Sequence, residues 1–322
     1  NKLKLPPASV SRKQINNSFH TGFWLGSAAL LTCVWITYYF VAFYPIENNV
    51  NALQSSASLY VFRLLLFPIV LLFFIGIDVH VWNKFHINYI FIFELNPRRH
   101  ITEMQILRIP LIGYCFWCIC LLGFMLMTVE DRKNDTFKGL TWIISPIMYG
   151  LTLIWMLNPL PIMYRKGRYW FLKRLLKIAL APFRRVLFKD LWVADQLCSM
   201  GTFLFEMQFL LCITTTSIQE AYGADSLPFC TSYIAIGIPI LNMWPYYARM
   251  MQCIRRFIDS KQIVHVMNGL KYLASIVTLI VYTFDQGFFP PGEGGWSSIR
   301  TGWFICNLAS STYSLIWDLH ID

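Results

Sequence analysis

Eight stretches of about twenty mostly apolar residues recur along the chain, near 20–44, 58–82, 105–128, 139–161, 191–217, 230–252, 263–284 and 301–321. Each is long enough to cross a hydrocarbon layer as a helix. A spanning segment must satisfy its own backbone hydrogen bonds, so a chain of such segments folds as a helix bundle. The fold class expected is therefore all-α, a polytopic membrane protein with eight transmembrane helices plus interfacial amphipathic helices. Composition agrees: 56% of the 322 residues are hydrophobic, 17% aromatic and 14% charged, where soluble domains carry about a quarter charged residues.

The loops set a topology. Bases dominate the N-terminal tail (Lys2, Lys4, Arg12, Lys13), the 83–104 loop, the 162–190 segment and the 253–262 loop. The intervening loops, 45–57, 129–138, 218–229 and 285–299, carry no excess of base. This alternation puts both ends in the cytosol. It also accounts for the net charge of +10 without a nucleic-acid partner. The stretch RKGRYWFLKRLLKIALAPFRRVLFKD mixes bases with aromatic and aliphatic residues, the pattern of a helix lying on lipid, so membrane lipids are expected partners.

Several smaller signals follow from that topology. Asn134-Asp135-Thr136 is a glycosylation sequon in an outer loop. Cys212 and Cys230 flank the 218–229 outer loop and are a candidate disulfide, since that side permits oxidation. Cys115, Cys118 and Cys120 have a metal-like spacing, but they sit mid-span without His or acidic partners; no metal and no cofactor is expected there. The six histidines are dispersed, no HxxxxD set occurs, and no GxxxxGK[ST] phosphate loop occurs, so neither an enzyme nor an ATP-driven pump is expected.

Ionisable residues inside spans are costly, roughly 2.5–3.5 kcal/mol each near the centre on insertion scales, and mark functional positions. Asp195 lies one turn into the fifth span, Arg249 near the inner end of the sixth, Lys271 two turns into the seventh. The chain closes on SLIWDLHID, where Asp318 and Asp322 share a helix face. All fall in the inner half of the bilayer. One residue at a time, a structural salt bridge explains them. Together, with Asn268 and Tyr272 beside Lys271, they outline a polar pathway able both to donate to and accept from an anion such as phosphate.

Five motifs narrow this reading: IFELNPR, LWVADQL, QCIRRFIDSK, NGLKY and LIWDL, in that order. Their set resembles the SPX–EXS phosphate exporters, the family of the xenotropic and polytropic retrovirus receptor and plant phosphate-loading proteins. The resemblance implies about ten helices in the family, usually a homodimer, and export of inorganic phosphate by a channel or uniporter running down its gradient. It also implies control by inositol pyrophosphate through a cytosolic SPX domain, which this sequence lacks. The domains expected are residues 1–190, with four helices and the basic interfacial segment, and residues 191–322, with conduction-path helices and an EXS-like region from about 229 that is cut at its C-terminus. Carried over by motif, the phosphate site comprises Asp195, Lys271, Tyr272, Asp318 and Asp322. Cys198 stands where the family often has Asn, which alters one contact. Gln262 stands where a base is common. The alternative is a membrane receptor or sorting scaffold with vestigial transport. The plasma membrane is the expected location, with the Golgi or another endomembrane as the alternative.

Overall fold

The computed structural model describes residues 12–43, 57–97, 101–134, 140–161, 164–204, 206–208, 226–288 and 298–321. Among these residues the secondary structure is helical, with no strand. The helices are α1 (Arg12–Tyr38), α2 (Ala57–Lys84), α3 (Glu103–Asn134), α4 (Leu140–Leu157), α5 (Arg165–Ala179), α6 (Phe188–Cys198), α7 (Ser226–Ser260), α8 (Val264–Phe288) and α9 (Ser298–His320). Four segments are long and apolar enough to cross a membrane: Asn16–Ala42, Phe62–Lys84, Glu103–Met127 and Val264–Asp285. Large apolar side chains stand exposed along them, such as Leu30, Phe74, Ile119 and Phe284. In water such a surface would drive association; on spanning helices it faces lipid. The chain is an all-α membrane protein.

Two compact units divide the chain, residues 1–154 and 155–322. In the first, α3 packs against both α1 and α2. Ala28, Leu111 and Cys115 form a small core, closed by Trp24, Phe73 and Tyr114. Polar groups in this apolar setting find partners. Trp117 Nε1 donates to the Phe62 carbonyl at 2.8 Å, and the Thr32 and Tyr114 hydroxyls meet at 3.0 Å. Gly76 lets α2 and α3 approach: a Cβ there would lie 2.6 Å from Leu107 Cδ2 and 3.3 Å from its Cα.

The second unit holds α5 to α9. Sequence patterning predicts α5 as a helix lying on the membrane surface, and the helix is present over Arg165–Ala179. Its apolar face, with Trp170, Phe171, Leu175 and Ile178, packs on Val193 and Ala194 of α6 and Ala248 of α7. Buried Arg174 lies over the Trp170 ring at 5.8 Å. The helix α7 runs 35 residues and contains Pro239 and Pro245. It doubles back into α8 at Lys261, which takes a left-handed conformation (φ 58°) and bonds through its N–H to the Phe257 carbonyl at 2.7 Å.

One expected span is interrupted where the apolar pattern suggests continuity. A continuous helix over 191–217 is predicted, but α6 stops at Cys198, turns at Ser199 and Met200, and restarts at Gly201. Hydrophobicity does not register this break. The Ser199 N–H reaches back to the Asp195 and Gln196 carbonyls, and Gly201 follows at once. Glycine is a poor helix continuer, about 1 kcal/mol below alanine.

The α2–α3 contact gives a direct check. Gly76→Val is expected to lower stability by about 1–3 kcal/mol through overpacking, seen as a fall in melting temperature in detergent. Gly113→Ala, whose Cβ would meet only the Ile69 side chain, Cγ1 at 3.5 Å and Cδ1 at 3.7 Å, is expected to leave the melt within a degree or so of the parent.

Candidate functional site

Four helices of the second unit bring ionisable side chains together. On α6, Asp195 sits one turn before the break, its side chain 45% exposed. On α7, Arg249 is buried, and on α8 Lys271 and Tyr272 are buried side by side. On α9, Asp318 is exposed beside buried Trp317.

The contacts interlock. Asp195 Oδ1 lies 2.6 Å from Arg249 Nε. The same oxygen accepts from the Tyr272 hydroxyl at 2.8 Å, and that hydroxyl accepts from Arg249 Nε at 3.0 Å. Lys271 Nζ donates to Asp318 Oδ1 at 3.0 Å. Both cations lie over the Tyr272 ring, Arg249 at 4.9 Å and Lys271 at 5.1 Å. A tyrosine face is electron-rich, so it offers each cation some of the stabilisation that burial removes.

The asymmetry matters most. The cations are buried and the carboxylates are not. Withdrawing a partner from a buried charge costs about 3–5 kcal/mol. Asp195 and Asp318 therefore stay on their cations until another acceptor arrives. Being exposed, either can then swing toward water at little cost.

A second shell holds the first. Arg249 Nη1 donates to Gln252 Oε1 at 3.0 Å, and Gln252 Nε2 donates to the Asp190 carbonyl at 3.2 Å. Asp190 is the third residue of α6. Its carboxylate accepts from Arg174 Nη1 at 2.7 Å and from the Leu187 N–H at 3.4 Å, capping the helix start. Between α8 and α9, the Ser275 and Ser310 hydroxyls meet at 3.2 Å and Tyr313 OH donates to the Met267 carbonyl at 2.8 Å. Farther along the same pair, Arg300 Nε meets buried Asp285 at 3.2 Å. Asp285, read from sequence as a loop acid, is thus on α8.

Of the residues singled out in the sequence, the structure joins Asp195, Arg249, Lys271, Tyr272 and Asp318. Lys271 answers Asp318, while Arg249 turns to Asp195 instead of to α9. Cys198 closes α6, and its carbonyl accepts from Tyr246 OH at 3.3 Å. Asn268 lies one turn before Lys271, and its buried Oδ1 has no partner among the described residues. Asp322 and Cys212 lie outside the described residues, as do the side chains of Cys230 and Asn134. Gln252 and the Arg174–Asp190 pair were not anticipated. The spacing of Gln252, three residues after Arg249, is the only sequence signal for the former.

Comparison with known proteins places the chain in a family. The profile of the EXS family matches residues 58–322. This chain belongs to the EXS family. It is 30% identical over 317 residues to SPX and EXS domain-containing protein 4 of Dictyostelium discoideum, covering 98% of this chain and 28% of that protein. It is 28% identical over 333 residues to solute carrier family 53 member 1 of Homo sapiens, covering 100% of this chain and 46% of that protein. A xenotropic and polytropic retrovirus receptor 1 homolog from Xenopus laevis is 30% identical over 263 residues, 78% of this chain and 36% of that protein. The chain thus spans less than half the length of these curated relatives.

The buried Arg174–Asp190 pair yields a test. Arg174→Met leaves Asp190 uncompensated and is expected to cost about 3–5 kcal/mol. Adding Asp190→Asn removes the stranded charge and keeps an acceptor for Leu187, so the double variant is expected to melt above the single one in fluorimetry.

Proposed function

We propose that the constellation on α6 to α9 is the phosphate pathway of an exporter, and that the protein carries inorganic phosphate passively out of the cytosol. The observation that carries this reading is the pair of buried cations sharing one tyrosine, each held by a carboxylate that water can reach. With both carboxylates seated, the four charges sum to zero. With both swung aside, Arg249 and Lys271 present two positive charges, a match for hydrogen phosphate as a dianion. Guanidinium and ammonium suit its oxyanions. The displaced carboxylates accept from its P–OH, which sulfate lacks near neutral pH. Tyr272 OH can donate to an oxyanion or accept from P–OH.

The break in α6 fits the same role. Irregular backbone at membrane depth is tolerated where it lines a polar cavity, and broken helices recur at ion sites in transporters. Asn268, with its unpartnered amide oxygen, and Cys198 flank the site as further lining residues. Asp322, four residues after Asp318 in the sequence, is a further candidate acceptor. The inside-negative potential assists efflux of an anion, which requires no built-in energy source.

The remaining architecture follows from the charge alternation and from the relatives. We infer eight spans in this chain, both ends cytosolic, in the plasma membrane. The name of the Dictyostelium relative pairs SPX and EXS domains, and control by inositol pyrophosphate through an SPX domain fits that pairing. Gly22 and Gly26 of α1 have no atom within 4 Å of a Cβ position, which suits close approach of a second copy and a homodimer.

Radiolabelled phosphate release from proteoliposomes tests the proposal, using the full-length parent with each variant inserted to equal density. Lys271→Ala and Arg249→Ala are each expected to cut release by at least about 100-fold, the cost of a lost charged contact in a site out of water. Asp318→Asn is expected to cut it less, about 10-fold, because the cation remains. Release from the well-inserted parent at the level of empty liposomes, even with inositol pyrophosphate supplied, would sink the exporter reading and favour a receptor or sorting scaffold.

A further inference from the structure

A shallow recess opens beside the start of α6, away from the constellation above and independent of what that pathway carries. Its rim bears Lys177, Arg184 and Arg185, and its floor is Asp190 and Gln252. The cations reach it from two differently shaped backbone segments. Lys177 comes from the last turn of α5. After α5 a single 3-10 turn, Ala181–Phe183, reverses the chain, and Arg184 follows in an extended conformation (φ −133°, ψ 154°). Arg184 and Arg185 are exposed and Lys177 is half-buried.

The one acid in the recess does not answer these bases. The Asp190 carboxylate is occupied by Arg174 at 2.7 Å and by the Leu187 N–H. None of Lys177, Arg184 and Arg185 makes a side-chain hydrogen bond or ion pair among the described residues. Three positive charges thus converge on a concave surface with a buried amide at its base. A solvated basic edge that merely anchors α5 would present its charges outward along the helix, as Arg165, Lys166 and Lys173 do, all exposed.

We propose that this recess binds clustered phosphomonoester groups of the kind carried by a polyphosphorylated lipid headgroup. Phosphomonoesters supply several acceptor oxygens and more than one charge in a small volume, which suits forked guanidinium donors. The helix α5 is amphipathic and basic, an arrangement that seats at the headgroup level of an anionic leaflet, and basic pockets between helices at that level take phosphorylated headgroups. Burial and the neighbouring Arg174, Lys173 and Lys189 hold the Lys177 ammonium below its ordinary pKa, Asp190 opposing only in part. An anion seated in the recess would relieve that repulsion. The floor also connects inward: Gln252 bonds both the Asp190 carbonyl and Arg249.

The test measures binding by microscale thermophoresis to the full-length protein in phosphatidylcholine nanodiscs. Two probes carry the same headgroup: dioctanoyl phosphatidylinositol 4,5-bisphosphate, and free inositol 1,4,5-trisphosphate. The variant Lys177→Ala/Arg184→Ala/Arg185→Ala is expected to lose on the order of 100-fold in affinity. The equally neutralised control Arg165→Ala/Lys166→Ala/Lys173→Ala is expected to change less than about 3-fold. Arg184→Gln/Arg185→Gln, at two exposed positions, keeps the test valid should the triple variant melt early; its expected loss is about 10-fold. A loss for the lipid probe alone identifies a membrane lipid as the source, a loss for the trisphosphate alone a free phosphate ester, and a loss for both the shared chemistry. Equal losses in recess and control variants, no loss in either, or no binding by the parent to either probe would each overturn the proposal.

Discussion

The second unit is organised by the need to keep two buried cations paired. Arg249 and Lys271 lie where water is scarce, and neither is tolerable there alone. Each draws in a carboxylate from another helix: Asp195 from α6, Asp318 from α9. Those pairings tie four helices at one level. Tyr272 joins the two pairs through its ring and hydroxyl, so the site behaves as one electrostatic object. Gln252 then couples that object to the start of α6, whose own charge, Asp190, is compensated separately by Arg174. Under the proposed pathway, the interactions that hold the helices are those an incoming anion would replace.

Much of this was legible in the sequence, for a physical reason. Charge inside an apolar run is costly, so Asp195, Lys271 and Asp318 announce themselves against Leu, Ile and Trp neighbours. The helix α5 was legible from bases spaced among aromatics. What escaped notice was of two kinds. Neutral polar partners such as Gln252 and Ser310 carry no comparable penalty and look like any other residue. The interruption after Cys198 sits inside a run that remains apolar, so hydropathy reads through it, and only Gly201 hints at the turn.

The partner choices were also beyond sequence reasoning. Both Arg249 and Lys271 were available to the acids of the final helix, and spacing could not distribute them. Packing does so: α8 lies against both α7 and α9, which puts Lys271 in reach of α9 while Arg249, on α7, faces α6. Asp285 shows the same limit. At a span boundary a carboxylate reads as a loop residue, yet here it is buried and bonded to Arg300.

The left-handed corner at Lys261 sets the vertical alignment of the two cations. Arg249 lies eleven residues before the end of α7 at Ser260 and Lys271 seven residues after the start of α8 at Val264, so about 17 Å and 11 Å of helix separate them from the corner. Two rods hinged at one tight joint keep their rungs level only while the joint keeps its length. One residue added inside the first turn of α8 would turn Lys271 about 100° around its axis and shift it by about 1.5 Å, taking it off Asp318 while leaving Arg249 on Asp195. The corner therefore works as a gauge block: remote from the charges and chemically plain, it fixes whether both cations stand at one level.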